Sequence, residues 1–224
     1  RCSVAISRDF ELVSVVGVFD PIKLPSPFSL TAQHILQIES SLGQSLQAGD
    51  AFTERGQAKI ILIPRRQMDS IIENERIEVR RRYPGTSLQE TASWMTQLLS
   101  LFLEAQKTAP EVVPWVRAGY NYILTTETDG IATAKLAEGL FSEDFLSNLK
   151  HPVTGAATSI WLNVAGAVLW LRLEPYRNDP AATKMTVTAN FLEEGGTLTP
   201  KEAIESKLTG YLAILNELLD RIGL

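Results

Sequence analysis

The stretch ILIPRRQMD (Ile61–Asp69) returns in similar form as LRLEPYRND (Leu171–Asp179). Each begins as an apolar strand and continues into a polar turn with a proline and an arginine. The two stretches lie about 110 residues apart, and a helix capping box follows each of them, at Ser87–Glu90 and at Thr199–Glu202. A pattern that returns at one spacing indicates an internal repeat, so we expect a duplicated chain.

The same order of elements surrounds both stretches. The hydrophobic pattern of the first half predicts a strand, a helix, two strands and a helix, at Phe10–Asp20, Leu30–Gln47, Ala58–Pro64, Ile71–Tyr83 and Leu88–Ala105. The second half repeats that order at Trp115–Thr125, Ala132–Leu149, Ile160–Glu174, Lys184–Leu192 and from Thr199 onward. We therefore predict an α+β fold of two similar β-α-β-β-α halves, residues 1–109 and 110–224, packed as one unit. The sheet is expected to be mostly antiparallel, with the helices packed on one side. The alternative is that an α+β chain shows this order by chance.

Composition limits the classes of protein that the chain can represent. Its 224 residues are 45% hydrophobic, enough for a sizeable core, and the net charge of -5 argues against a surface built wholly for nucleic acid. The single cysteine, Cys2, allows no internal disulfide, which favours a cytoplasmic protein. The most apolar run, Ile160–Leu173, is too short for a membrane helix and is interrupted by Asn163 and Arg172, so it predicts a buried strand and no membrane association.

Arginines are concentrated in NERIEVRRRYPG, residues Asn74–Gly85. In a strand, alternation places two sets of side chains on opposite faces: Arg76, Glu78, Arg80 and Arg82 on one, and Ile77, Val79, Arg81 and Tyr83 on the other. The glutamate within the first set indicates cross-strand ion pairs on a solvated face, partly with Glu73 and Glu75. Two alternatives stay open: a phosphate or nucleic-acid contact surface extended by Arg65 and Arg66, and a site for carboxylates.

Short motifs resemble those of a sporadically distributed family of bacterial proteins of about this length. They are VVGVFDP at Val15–Pro21, YPGTSLQETASWMTQLL at Tyr83–Leu99 and RAGYNYIL at Arg117–Leu124. Leu124 stands where that family has an asparagine after the Tyr-Ile pair. The resemblance covers most of the chain in order and implies no particular biochemical activity.

Aromatic residues offer a second candidate site. The four tryptophans are expected to pack in the core, because their rings bury large apolar areas. A sharper hypothesis places a groove at the joint between the halves, lined by Trp115 and by Tyr120 or Tyr122. Arg117, on the same predicted strand, is a further candidate ligand-binding residue.

No motif demands a particular chemistry. The two histidines, His34 and His151, have no partners in the sequence for a metal site or a catalytic triad, so we predict no metal, no cofactor and no identifiable catalytic residue. The leading interpretation is a non-enzymatic binding or interaction module that self-associates, as a homodimer, through apolar strand surface in Ile160–Leu173. One alternative is an enzyme or receptor that binds an anionic ligand in the cleft between the halves through Arg65, Arg66 and Arg177. The other is nucleic-acid contact through the arginine-rich strand.

Overall fold

A single antiparallel sheet organises the chain. The computed structural model describes residues 7–19, 51–55, 58–63, 67–73, 76–82, 88–89, 91–93, 115–148, 156–195 and 201–224. The predicted helix at Leu30–Gln47 lies outside these residues, as do Cys2, His34 and His151.

Nine strands and three complete helices lie in the described part of the chain. The strands are β1 (Ser7–Phe19), β2 (Ala51–Arg55), β3 (Ala58–Ile63), β4 (Met68–Ile72), β5 (Arg76–Arg82), β6 (Trp115–Glu127), β7 (Thr158–Val164), β8 (Ala167–Pro175) and β9 (Lys184–Glu194). The helices are α1 (Ala132–Leu140), α2 (Glu143–Ser147) and α3 (Lys201–Arg221), and residues 88–89 and 91–93 are also helical. The strand order is β2-β3-β4-β5-β1-β6-β9-β8-β7, with antiparallel neighbours throughout. An α+β fold with an antiparallel sheet is thus confirmed.

Two of the predicted strands are each divided by a turn in the structure, and one strand was missed. The predicted strand Ile71–Tyr83 begins within β4 and continues as β5, so one turn was missed. The predicted strand Ile160–Glu174 is the hairpin β7–β8, because Ala165 and Gly166 have φ of 50° and 81°, the left-handed values of a tight type I′ turn. The strand β2 was not predicted.

The strand order has the same form on both sides of the central β1–β6 pair. Outward from β1 come β5, β4 and β3, and outward from β6 come β9, β8 and β7; β2 is an additional strand beyond β3. The spacing of about 110 residues, however, matches β3, which ends before Pro64, with β8, which ends at Pro175. These strands stand at different distances from the centre, so the similar stretches Ile61–Asp69 and Leu171–Asp179 do not occupy equivalent places in the strand order.

One face of the sheet, called the inner face, carries the core. Its central side chains are no more than 1% exposed: Val13, Val15, Ile77, Val79, Tyr120, Tyr122, Leu124, Leu169, Leu171, Leu173, Val187, Ala189 and Phe191. Helix α3 covers them with an apolar stripe of Ile204, Leu208, Tyr211, Leu215 and Leu219. Helix α1 adds Ala132 and Leu136 to the same cluster. These two helices therefore contribute to the inner-face core, and the opposite surface of the sheet is called the outer face.

Candidate interaction surface

A row of hydrogen-bonding side chains crosses the outer face from β4 to β7. Strand register brings together, in order, Asp69, Arg80, Ser14, Asn121, Asn190, Trp170 and Trp161. The Asn121 Nδ2 donates to the Ser14 Oγ over 2.8 Å, and the Trp170 Nε1 donates to the Ser159 Oγ over 2.6 Å. The centre of this row is therefore uncharged and polar, and its β7 end is aromatic.

The predicted arginine row lies at the other end of this face. Alternation in β5 is as predicted, since Ile77 and Val79 are fully buried on the inner face. The Arg80 Nε donates to the Asp69 Oδ1 over 2.5 Å, and the Arg82 guanidinium lies 3.5 Å from the same carboxylate. Arg76 pairs with Glu78 on its own strand. These ion pairs support the interpretation of a paired, partly solvated strand face, but the carboxylates are Asp69 and Glu78, each only 7% exposed.

The other proposed basic residues are spread over the molecule. Arg117 is exposed at the start of β6, with its guanidinium 3.9 Å from the Glu194 carboxylate. Arg177 lies at the far end of the sheet, in the turn between β8 and β9. Arg65 and Arg66 are outside the described residues, so the cleft that they were expected to form with Arg177 is not seen.

A surface pocket of about 570 Å³ surrounds Arg177. Its walls also include Glu174, Tyr176, Asn178 and Thr186. Tyr176, Arg177 and Asn178 are all exposed, so the pocket is an open depression beside the turn.

The hypothesis that Tyr120 and Tyr122 line a groove is wrong. Both side chains are 0% exposed on the inner face, under α3. The Tyr122 hydroxyl donates to the Leu208 carbonyl oxygen over 2.7 Å, and the Tyr120 ring lies 5.3 Å from that of Tyr211. Trp115 begins β6 opposite Phe19. The structure describes only its backbone, so a role for its side chain in a groove stays a prediction.

The buried tyrosines share one electrostatic environment. Tyr211 stacks on Phe191 with ring centroids 4.4 Å apart, and its hydroxyl donates to the Glu193 carboxylate, which also pairs with Lys207. Burial, followed by the nearby Glu193 and Tyr211, raises the pKa of Tyr120 far above its usual value. Burial is also the main cause of the raised pKa of Tyr122 and of Tyr211. All three phenols are therefore held in the neutral form.

Trp161 is the most exposed large apolar residue among those that the structure describes, at 70%. It lies at the middle of β7, which forms one edge of the sheet and pairs, within the described strands, with β8 alone. Its ring centroid is 6.0 Å from that of Trp170, which is half-buried. Core packing, expected for all four tryptophans, is thus wrong for Trp161.

The surface around Trp161 combines residues that the sequence had indicated with residues that it had not. The stretch Ile160–Leu173 was singled out as apolar strand surface, but the outer side of the hairpin also carries Ser159, Asn163 and Arg172. The contribution of Asn121 and Asn190 was missed. Alternation in RAGYNYIL could have indicated Asn121, because it places this residue opposite the two tyrosines.

Within the described ranges, no group of three or more histidine, cysteine, aspartate or glutamate side chains is placed to hold a metal ion. None of the described helices is long and apolar enough to cross a membrane.

Comparison with known proteins adds one structural similarity. No protein-family model and no curated protein matches the chain. Among solved structures, the chain is similar to Methanococcus jannaschii TBP, with a TM-score of 0.35 and 12% sequence identity over 97% of each chain. A similarity at this level carries no inference about function.

Proposed function

We propose that this protein is a non-enzymatic interaction module that associates with a second copy of itself. One observation carries the proposal: β7 is an edge strand with Trp161, 70% exposed, at its centre. Protein sheets protect their edges with lysine, proline, bulges or a covering element. β7 reads TSIWLNV and contains no charge and no proline.

The chemistry of this edge favours a protein partner. Large exposed aromatic residues are enriched at the centres of protein interfaces, where they bury much area at little cost in side-chain entropy. The inner-face residues of β7, Ile160, Leu162 and Val164, are only half-buried, since nothing in the described part of the chain pairs with this strand beyond β8. A second strand at this edge would bury them more fully.

Sedimentation equilibrium over a range of micromolar concentrations tests the proposal. We expect the wild-type chain to approach twice its mass of 24.7 kDa as the concentration rises. Trp161→Lys should shift the chain to the monomer, because a lysine at the edge opposes strand pairing. Phe145→Lys is the matched control, since Phe145 is an aromatic residue that is 49% exposed but belongs to helix α2 and not to a strand of the sheet. A wild-type chain that stays monomeric throughout would refute the proposal.

The strand order also supports the proposal that the halves 1–109 and 110–224 descend from a duplication. In both halves the first strand lies at the centre and an antiparallel meander extends outward, of four strands (β5 to β2) in the first half and of three (β9 to β7) in the second. In an experimental structure, we expect one rotation near 180° to superpose β1, β5, β4 and β3 on β6, β9, β8 and β7. Meanders that cannot be superposed with inner faces matching would contradict it.

A further inference from the structure

The free backbone groups of β7 can be assigned from its hairpin. Val164 and Ala167 flank the two-residue turn, and in such hairpins this pair exchanges both backbone hydrogen bonds. Because the pattern alternates along the strand, Ser159, Trp161 and Asn163 direct their N–H and C=O groups to the open side. The donation from the Tyr176 N–H to the Lys184 carbonyl oxygen agrees, since it places the even-numbered groups of β8 toward β9 and the odd-numbered ones toward β7.

The side chains of β7 are arranged symmetrically about Trp161. On the outer face Ser159 and Asn163 stand two residues to either side of it. On the inner face Ile160 and Leu162 are its immediate neighbours, with Thr158 and Val164 beyond them. Within two residues of Trp161 on either side, the strand therefore presents polar, apolar and aromatic groups in the same order in both directions, and only its ends, Thr158 and Val164, differ.

We infer that β7 pairs antiparallel with β7 of a second copy, in a register centred on Trp161, so that two sheets join into one. This inference rests on the proposed self-association and specifies where and how it occurs. Trp161 then faces the same residue of the second copy, Ser159 faces Asn163, and Ile160 faces Leu162. In this register each free N–H and C=O of the three outward-directed residues meets a partner.

Charge and packing favour a second copy over an unrelated strand. β7 has no charged side chain, so two copies meet at the axis without repulsion. Ile160 of one copy meets Leu162 of the other, and the polar Ser159 meets the polar Asn163; at the ends of the strand Val164 meets the Thr158 side chain. The indole of Trp161, already 6.0 Å from that of Trp170, would gain a third aromatic ring across the axis. An interface limited to one seven-residue strand from each copy is small, so we expect a dimer of roughly micromolar affinity.

Cysteine cross-linking directly tests the register in which the two β7 strands pair. With Cys2→Ser as the background, Ser159→Cys and Asn163→Cys each place one thiol on an exposed position of β7. Directly opposed residues with both hydrogen bonds have Cα atoms about 5.5 Å apart, within the range of a disulfide. Two copies of the same position would lie roughly 13 Å apart along the strands, beyond that range.

We expect mild oxidation to cross-link an equal mixture of the two variants, and neither variant alone. Trp161→Cys should cross-link with itself. Ser206→Cys, an exposed position on α3, is the control and should cross-link neither with itself nor with Ser159→Cys. A dimer in sedimentation that gives none of the β7 cross-links would overturn the inference while the proposed self-association stands. A monomeric wild-type chain would overturn both.

A pair of substitutions at Asn163 separates backbone pairing from side-chain contact. Asn163→Pro removes an N–H that faces the open side and leaves the β7–β8 bonds in place, because edge strands accept proline there. Asn163→Thr keeps the N–H and removes the same amide. We expect the proline variant to weaken dimerisation by at least about tenfold, through two symmetry-related hydrogen bonds, and the threonine variant to dimerise as the wild type does. Equal affinities of the two variants would show that β7 does not pair through its backbone.

Discussion

A single missing Cβ allows the closest approach between two helical segments. A Cβ atom added to Gly139, in α1, would lie 3.0 Å from the carbonyl carbon and 3.1 Å from the Cα of Ile222, just beyond α3. These are backbone atoms, which cannot turn aside as a side chain can. Gly210, in the middle of α3, has nothing within 4 Å of the corresponding position. Two helical glycines thus occupy opposite environments.

Substitution by alanine should therefore have opposite effects at the two sites. Gly210→Ala should raise the free energy of unfolding by about 1 kcal/mol, because alanine loses less backbone entropy in a helix. Gly139→Ala has the same intrinsic gain but forces α1 away from Ile222, so we expect a net loss of about 1–3 kcal/mol. Urea unfolding of both variants beside the wild type measures the difference. Stabilisation of similar size in both would show that the two segments are not in close contact.

At the scale of elements, the alternation of polar and apolar residues predicted correctly which face of a strand each side chain occupies, but it did not predict where the strands turn. The pattern of β5 placed Ile77 and Val79 inside and the arginines outside, as observed. The turn between β4 and β5 was missed because residues 73–75 are Glu-Asn-Glu, without the glycine or proline that usually marks a turn. The β7–β8 turn, by contrast, contains Gly166, the kind of residue that marks a turn in a sequence.

Because this turn was missed, the main ion-pair partner of the arginine row, Asp69, was missed too. Asp69 lies on β4, and only the register that pairs it with Arg80 brings the two side chains together. An ion pair across strands depends on this register, which local sequence does not specify. Since Asp69 and Glu78 are largely buried, the arginines offset the cost of burying these carboxylates, and removing an arginine would destabilise the sheet more than breaking a fully exposed ion pair would.

At the scale of the whole molecule, Tyr120 and Tyr122 connect β6, at the centre of the sheet, to α3. Sequence alternation placed Tyr120 and Tyr122 on one side of β6, but it could not tell a groove from a core, because that depends on which helix covers the strand. Helix α3 covers it with Leu208 and Tyr211. Solvent can therefore reach these phenols only when α3 leaves the sheet. Their ionisation thus indicates that the whole fold has opened.

Alkaline pH should unfold the protein in one cooperative step. Burial raises the pKa of Tyr120 and of Tyr122 well above the usual tyrosine value of about 10, so the folded chain keeps both protons where the unfolded chain releases them. Below pH ~10 both states are protonated and the free energy of unfolding does not depend on these groups. Above it, the unfolded state binds fewer protons, and the free energy of unfolding falls by about 1.4 kcal/mol per pH unit for each tyrosine.

Near-ultraviolet absorbance of the phenolate and circular dichroism, followed together during an alkaline titration, measure this coupling. We expect Tyr120, Tyr122 and Tyr211 to ionise only as the circular dichroism is lost, in one steep step above pH ~11 that reflects a marginal free energy of unfolding. In denaturant, all five tyrosines of the chain should titrate together near pH ~10, which provides the reference. Replacing Tyr120 and Tyr122 by phenylalanine should make the free energy of unfolding fall less steeply with pH above that value. Gradual ionisation of every tyrosine near pH ~10 with the circular dichroism unchanged would contradict their burial beneath α3.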